Sequence, residues 1–267
     1  MNNSRSLALL SVLLVGCPSM PPKDRPILAS VAVPGPVALV PVLLAQSAPK
    51  GLWLTPAEIQ TLPMTGAEWE AMKTAALGSY GDPKLSSLDG SSEIRALAGA
   101  YYWARTGHTA TRDKVRDFVR RSPGTESGSR ALELSRNLPA TVIAADLVGF
   151  ATADAEKVFK DWLRAIRTRT FDGKTLVSTQ EGKPNNWHCQ ANLALIVADV
   201  YLGDTVGLAR RAKVFKGWLG DRASYAGFTY DQDNWEEWQS NPSLPVGIDP
   251  KGATIEGHNV DGVLPEE

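Results

Sequence analysis

The sequence predicts an all-α protein built of repeated helical hairpins, and three observations carry that prediction. Apolar residues recur at intervals of three and four along most of the chain between Ala67 and Leu219, the spacing that lines one face of a helix. Period-two alternation, the mark of half-buried strands, is scarce. A block also repeats: Ala145-Asp146-Leu147-Val148-Gly149 and then Val158-Phe159-Lys160-Asp161-Trp162-Leu163 return as Ala198-Asp199-Val200-Tyr201-Leu202-Gly203 and Val214-Phe215-Lys216-Gly217-Trp218-Leu219, offset by 53 to 56 residues. Each copy reads as an inner helix, a glycine-containing turn and an outer helix, and Ala100 to Arg120 reads as a more diverged copy. Hairpins that cannot bury their apolar faces alone must stack, as a solenoid or as a closed or partly closed α/α toroid; periodicity does not separate a toroid from an irregular bundle.

Residues 1–20 read as an export signal. Arg5 supplies the positive start, Leu7 to Val15 is an apolar run too short to span a bilayer comfortably, and Leu14-Val15-Gly16-Cys17 ends it in the pattern of a bacterial lipobox. A lipid on Cys17 would anchor the protein to a membrane without threading it through, so the expected location is periplasmic or at the cell surface. Residues 21–50 form an apolar, Pro- and Ala-rich tether, in which Pro34, Pro36 and Pro41 oppose a regular membrane helix; an internal signal or second anchor is the other reading. With Cys17 consumed, Cys189 stands alone, so no intrachain disulfide framework holds the mature domain.

The folded domain is expected over 51–267. Thr55 with Pro56, Ala57 and Glu58 has the form of an N-cap, a proline in the first helical position and an acidic first turn. Ala67 to Leu77 follows as a short helix with Trp69, Met72 and Ala76 near one face, ended by Gly81, Asp82 and Pro83. Ser92 to Thr106 carries Ile94, Leu97, Ala98, Tyr101 and Tyr102 and closes at Gly107, and Thr109 to Arg121 pairs with it through Val115, Phe118 and Val119. Ala131 to Gly149 is a helix that tolerates Pro139 with a kink. Its partner, Thr152 to Arg169, is expected to bury Val158, Phe159, Trp162, Leu163 and Ile166.

The stretch Glu181 to Leu202 organises the functional reading. A polar loop of Lys183, Pro184, Asn185, Asn186, Trp187 and His188 leads into an apolar helix with Leu193, Ile196, Val197, Val200 and Tyr201 on one broad face. A helix start offers free N–H donors, which suits polar side chains aimed at a ligand; Asn186 and His188 acting merely as helix caps is the alternative. After Asp221, the aromatic residues Tyr225, Phe228, Tyr230, Trp235 and Trp238 lie among Gly, Asp, Asn, Gln and Pro. A long aromatic loop region of this kind covers a core face or a cleft, because ordering it is costly.

Composition narrows the partners. A formal net charge of -1 gives no basic face for nucleic acid, while 8 Trp and 6 Tyr suffice for a sugar cleft. The three histidines, His108, His188 and His258, lack short metal-ligand spacing, Cys189 reads as a small buried residue, and His108 reads as a surface residue in a turn. No Gly-x-x-x-x-Gly-Lys loop or Ser-His-Asp grouping emerges, and neither a cofactor nor a metal is expected.

Asn185-Asn186-Trp187-His188 at an inner helix start, the turn Tyr201-Leu202-Gly203-Asp204 and the closing Asp261-Gly262-Val263-Leu264-Pro265-Glu266 together resemble the alginate lyase superfamily. The resemblance covers about Leu52 to Glu267. It implies an incomplete α/α toroid that cleaves a uronate-containing polysaccharide by β-elimination, an acidic polysaccharide being the partner. Such a lyase removes the C5 proton of a uronate while donors hold the charge building on the adjacent carboxylate. Asn186 carries over as a carboxylate ligand, and His188 follows if the loop accommodates Trp187 where the family has its His. Asn185, Trp187, Tyr225, Trp235 and His258 are the expected substrate contacts.

In the family, the closing segment leads on to an Arg and a catalytic Tyr followed by His, whereas this sequence ends at Glu267. The expectation is therefore that other residues take those parts, with Tyr230 foremost beside Tyr225 and His258, or that the sequence is a fragment or has lost turnover. A non-catalytic carbohydrate-binding protein is one alternative. A glycoside hydrolase using Glu236, Glu237, Glu256 or Glu266 as a carboxylate pair is another.

Overall fold

A computed structural model describes residues 49–182, 185–218, 252 and 254–259 of the chain. The described residues are mostly helical. In chain order, the helices are α1 (Pro56–Thr61), α2 (Ala67–Leu77), α3 (Ser92–Thr106), α4 (Thr109–Arg121), α5 (Ala131–Val148), α6 (Ala153–Ile166), α7 (Leu176–Gly182), α8 (Asn186–Leu202) and α9 (Thr205–Trp218). A two-stranded antiparallel ladder, β1 (Thr254–Ile255) and β2 (His258–Asn259), turns through Glu256 and Gly257, both at positive φ. That pair of conformations is what a two-residue hairpin with right-handed strand twist requires. Among the described residues, no helix is long and apolar enough to cross a membrane.

Local chemistry sets the helix ends. Thr55 and Glu58 exchange hydrogen bonds in a capping box at α1, and Thr152 caps α6 by accepting from Ala155 N. His108, an exposed turn residue, caps α4 by accepting from Thr111 N. Gly107 and Gly203 close α3 and α8 in the left-handed conformation that costs a residue with Cβ energy. Pro139 stands inside α5 and deprives the Ser135 carbonyl of its usual N–H partner.

Three long helices, α3, α5 and α8, form the middle of the fold, with α5 packed between the other two. They run in the same direction. At one end the Arg130 guanidinium, at the start of α5, lies 5.9 Å from the centroid of Trp187 at the start of α8. At the other end Lys50 donates through its backbone to Asp146, on the last turn of α5, and through Nζ to the carbonyls of Val200 and Tyr201, on the last turn of α8. The loop at 84–87 ties in α3: Lys84 N donates to Glu93 in the first turn of α3, and Asn137 Nδ2 of α5 donates to Leu85 O and Ser87 O. The starts of all three central helices therefore share one end. The outer helices pack on this row, α2 and α4 on α3, α4 also on α5, and α6 and α9 on α8.

The core runs through α5, which is buried on almost every face, and outward to Phe118 and Val119 of α4 and Phe159, Leu163 and Ile166 of α6. Phe159 is its aromatic hub, with Phe150 and Trp162 each at 5.2 Å and Tyr201 at 5.7 Å in an edge-on contact. On α3, Leu97 and Ala98 are buried as expected, together with Ala96, Gly99 and Ala100, whereas Ile94, Tyr101 and Tyr102 are partly buried. A side chain on Gly99 would overlap the Tyr80 hydroxyl and crowd Val115 of α4, so a glycine stands where those side chains meet α3.

One expectation of burial on α6 fails. Val158 is 65% exposed, whereas Phe159, Trp162, Leu163 and Ile166 are buried as expected. One residue is about 100° of helix, and Val158 lies that far off the stripe that its neighbours share. In the second copy the pair is reversed, with Val214 fully buried and Phe215 40% exposed.

Candidate functional site

The start of α8 is built by Asn185. Its side chain accepts from Trp187 N at 3.0 Å, its carbonyl accepts from Cys189 N, and the residue is almost fully buried. Capping thus falls to Asn185, and Asn186, the first helical residue, is exposed. Trp187 is half-buried under the Arg130 guanidinium. Cys189, expected to be buried, is exposed because the first turn of α8 presents that side to solvent.

His188 points inward. Residues two apart on a helix differ by about 200°, so an exposed Asn186 and a buried His188 are two sides of one turn. The ring is 2% exposed, stacks on Phe215 with centroids 6.4 Å apart, and sets Nδ1 2.5 Å from Gln180 O on the last turn of α7. A carbonyl oxygen only accepts, so Nδ1 carries the proton and the Nε2 lone pair is retained. Burial lowers the imidazole pKa to about 4, against the raising influence of that hydrogen bond. At neutral pH the ring therefore carries no charge. The role expected for it, neutralising a uronate carboxylate, needs a proton on Nε2, whereas this tautomer presents a lone pair there.

Behind His188 lies a polar layer that hydropathy alone does not announce. His188, Asn192 and Asp199 fall at intervals of four and seven on α8, one helical stripe, and all three are buried. Gln180 Nε2 donates to Asn192 Oδ1 at 2.7 Å, and Arg211 of α9 donates to Gln180 Oε1. Arg211 Nε stands 3.6 Å from Asp199 Oδ2, and Arg167 bridges Asp199 and Asp204. Burial raises the Asp199 pKa above the ordinary carboxylate value, opposed by the hydrogen bond and charge of Arg167. Arg210 forks onto Glu181 at 2.9 and 3.1 Å. Any side chain on Gly207 would strike the Asp199 carboxylate, which is why α9 approaches there with a glycine.

This layer revises the face expected for α8. Of the face expected for it, Val197 and Tyr201 are buried and Leu193, Ile196 and Val200 are partly buried, and Ala191, Asn192, Ala194, Leu195, Ala198 and Asp199 are buried as well. The sequence signal was the recurrence of polar residues at helical spacing inside an apolar run, read together with Arg210-Arg211 downstream.

His258 on β2 and Glu256 in the turn before it are both exposed. Cys17, Tyr225, Tyr230, Trp235, Glu236, Glu237 and Glu266 lie outside the described residues. Among the described residues, no three His, Cys, Asp or Glu come together in a group that could hold a metal ion. Comparison with protein-family models, with curated proteins and with solved structures returns no match to this chain.

Proposed function

We propose that this chain is a polysaccharide lyase, an incomplete α/α toroid that cleaves a uronate-containing polysaccharide by β-elimination. The observation that carries the reading is Asn185-Asn186-Trp187-His188 at the start of a central helix, with Asn186 exposed, Trp187 beside Arg130, and the starts of α3 and α5 at the same end. Helix starts carry partial positive charge and free N–H groups, which favour an anionic chain. In this reading Asn186 donates to the uronate carboxylate as charge develops on it, and Trp187 offers an aromatic face to a sugar ring. His188 acts from behind, fastening the start of α8 to the end of α7, and proton transfer falls to Tyr230. The protein is exported and held at a membrane through Cys17.

The test is Asn186→Ala and Asn186→Asp beside the unsubstituted protein on a panel of polyuronates. Loss of one donor to a developing charge costs about 3 kcal/mol, so Asn186→Ala should lose roughly 100-fold in kcat. Elimination products are also one water lighter than hydrolysis products, so their mass excludes a hydrolase directly. The burial of His188 favours a second reading, oligosaccharide binding without turnover, in which Asn186→Ala weakens binding and no product of either kind forms.

A further inference from the structure

We propose that Gln180 and Arg211 are positioning residues that pin the last turn of α7 against α8, so that the Gln180 carbonyl holds His188 in the Nδ1–H tautomer and fixes the first turn of α8 with Asn186. Only the catalytic consequence of this arrangement rests on the lyase reading.

Three observations support it. The orientation of the Gln180 amide is determined by its partners: Arg211 only donates, so Oε1 faces Arg211 and Nε2 faces Asn192 Oδ1. Both arms of one side chain are thus engaged by two different helices, and the main-chain carbonyl of the same residue receives His188. Next, the charges within the polar layer and beside it balance. Glu181 of α7, Asp199 of α8 and Asp204 of the following turn face Arg210 and Arg211 of α9 and Arg167 after α6. The ring therefore stays neutral through its burial, which outweighs the raising influence of its hydrogen bond to α7. Finally, a buried polar layer is a poor choice for stability alone, because apolar side chains of the same volume serve a helix interface as well or better. What the polar layer supplies is direction. Gln180, Arg211 and Asn192 allow α7 one register against α8, and that register sets where the His188 ring and its turn sit.

Proton–nitrogen correlation spectra of the histidine rings test this without substrate, since the chain has only 3 His and substitution of His108 and His258 assigns the remaining signals. In the unsubstituted protein His188 should show the Nδ1–H tautomer and titrate with a midpoint of about 4. In Arg211→Met and Gln180→Met the tautomers should mix, the midpoint should climb toward the ordinary value near 6.5, and elimination should slow with KM little changed. Arg211→Lys, which keeps the charge but not the planar fork, should fall between. An Nε2–H tautomer in the unsubstituted protein overturns the proposal. So do unchanged His188 signals in an Arg211→Met protein of undiminished helix content; should that variant lose helix, Gln180→Met is read by the same criterion. Shifted spectra from a protein that eliminates no polyuronate would uphold the positioning role and remove the lyase reading.

Discussion

His188 links folding to pH at the scale of a single residue. Its pKa falls on folding from about 6.5 to about 4, so between those values the unfolded chain binds the proton more tightly. The contribution is present in full above pH 6.5 and is lost as pH falls through 4, and its size is on the order of 3 kcal/mol. Glu93 and Asp199 act in the opposite sense, because burial raises their pKa values and folding then favours their protonated forms. Denaturant melts from pH 7 to pH 4 should therefore show the stability gap between the protein and a His188→Gln variant narrowing toward acid; a gap that widens would place His188 elsewhere. The neighbouring pair Val158 and Phe159 gives a sharper contrast. Phe159→Ala should cost about 3 to 5 kcal/mol, because the hole opens among Phe150, Trp162 and Tyr201. Val158→Ala should stay within about 0.5 kcal/mol, since that side chain is 65% exposed.

At the scale of elements, helix termini were the most legible part of the sequence. Thr55-Pro56, Gly107 and Gly203 announced their caps through local chemistry, which needs no knowledge of tertiary partners. Thr55→Ala should accordingly remove on the order of 1 kcal/mol, read as a lowered thermal midpoint. Helix faces were less legible. On α3 and α8 small residues such as Ala96, Ala98, Gly99, Ala191, Ala194 and Ala198 share the buried positions with Leu97, Val197 and Tyr201, and hydropathy alone does not single the small ones out. The internal repeat was visible in full, yet its second copy sets Phe215 at an offset of 56 from Phe159 while Asp199 is offset by 53 from Asp146. Three residues are about 300° of helix, which shifts the phase of the outer helix by part of a turn. That shift leaves Val214 inward and Phe215 against His188. The site shows the same division: Asn185-Asn186 could be read as a helix start, but Gln180 joins it through contacts to His188 and Asn192, 8 and 12 residues away, and Arg211 joins Gln180 across 31.

On the scale of the whole molecule, the two ends of the central helix row do different work. The starts of α5 and α8 carry Arg130, Asn186 and Trp187, while their carboxyl ends receive Lys50 and Gly51. A helix of 17 residues separates those ends by roughly 25 Å. The repeat explains the second end: Asp146 and Asp199 occupy matching places near unfavourable helix carboxyl ends, and each has its own counterweight. Asp199 has arginines, and Asp146 has the backbone N–H groups of Lys50 and Gly51 at 2.9 and 3.0 Å. The residues just before α1 are therefore a clasp on the fold. Asp146→Ala should lower stability by about 1 to 3 kcal/mol while sparing activity, and protein begun at Leu52 should melt below protein begun at Pro49.

The central claim, elimination chemistry at the start of α8, is tested most directly by ultraviolet absorbance of unsaturated uronyl ends. Protein begun at Pro49, with its clasp intact, would be incubated with alginate, glucuronan, hyaluronan and related polyuronates, and Asn186→Ala run alongside. The account predicts a steady rise on at least one polyuronate, slowed roughly 100-fold by Asn186→Ala. No rise on any of them from folded, helical protein, or a rise that Asn186→Ala leaves untouched, would contradict it.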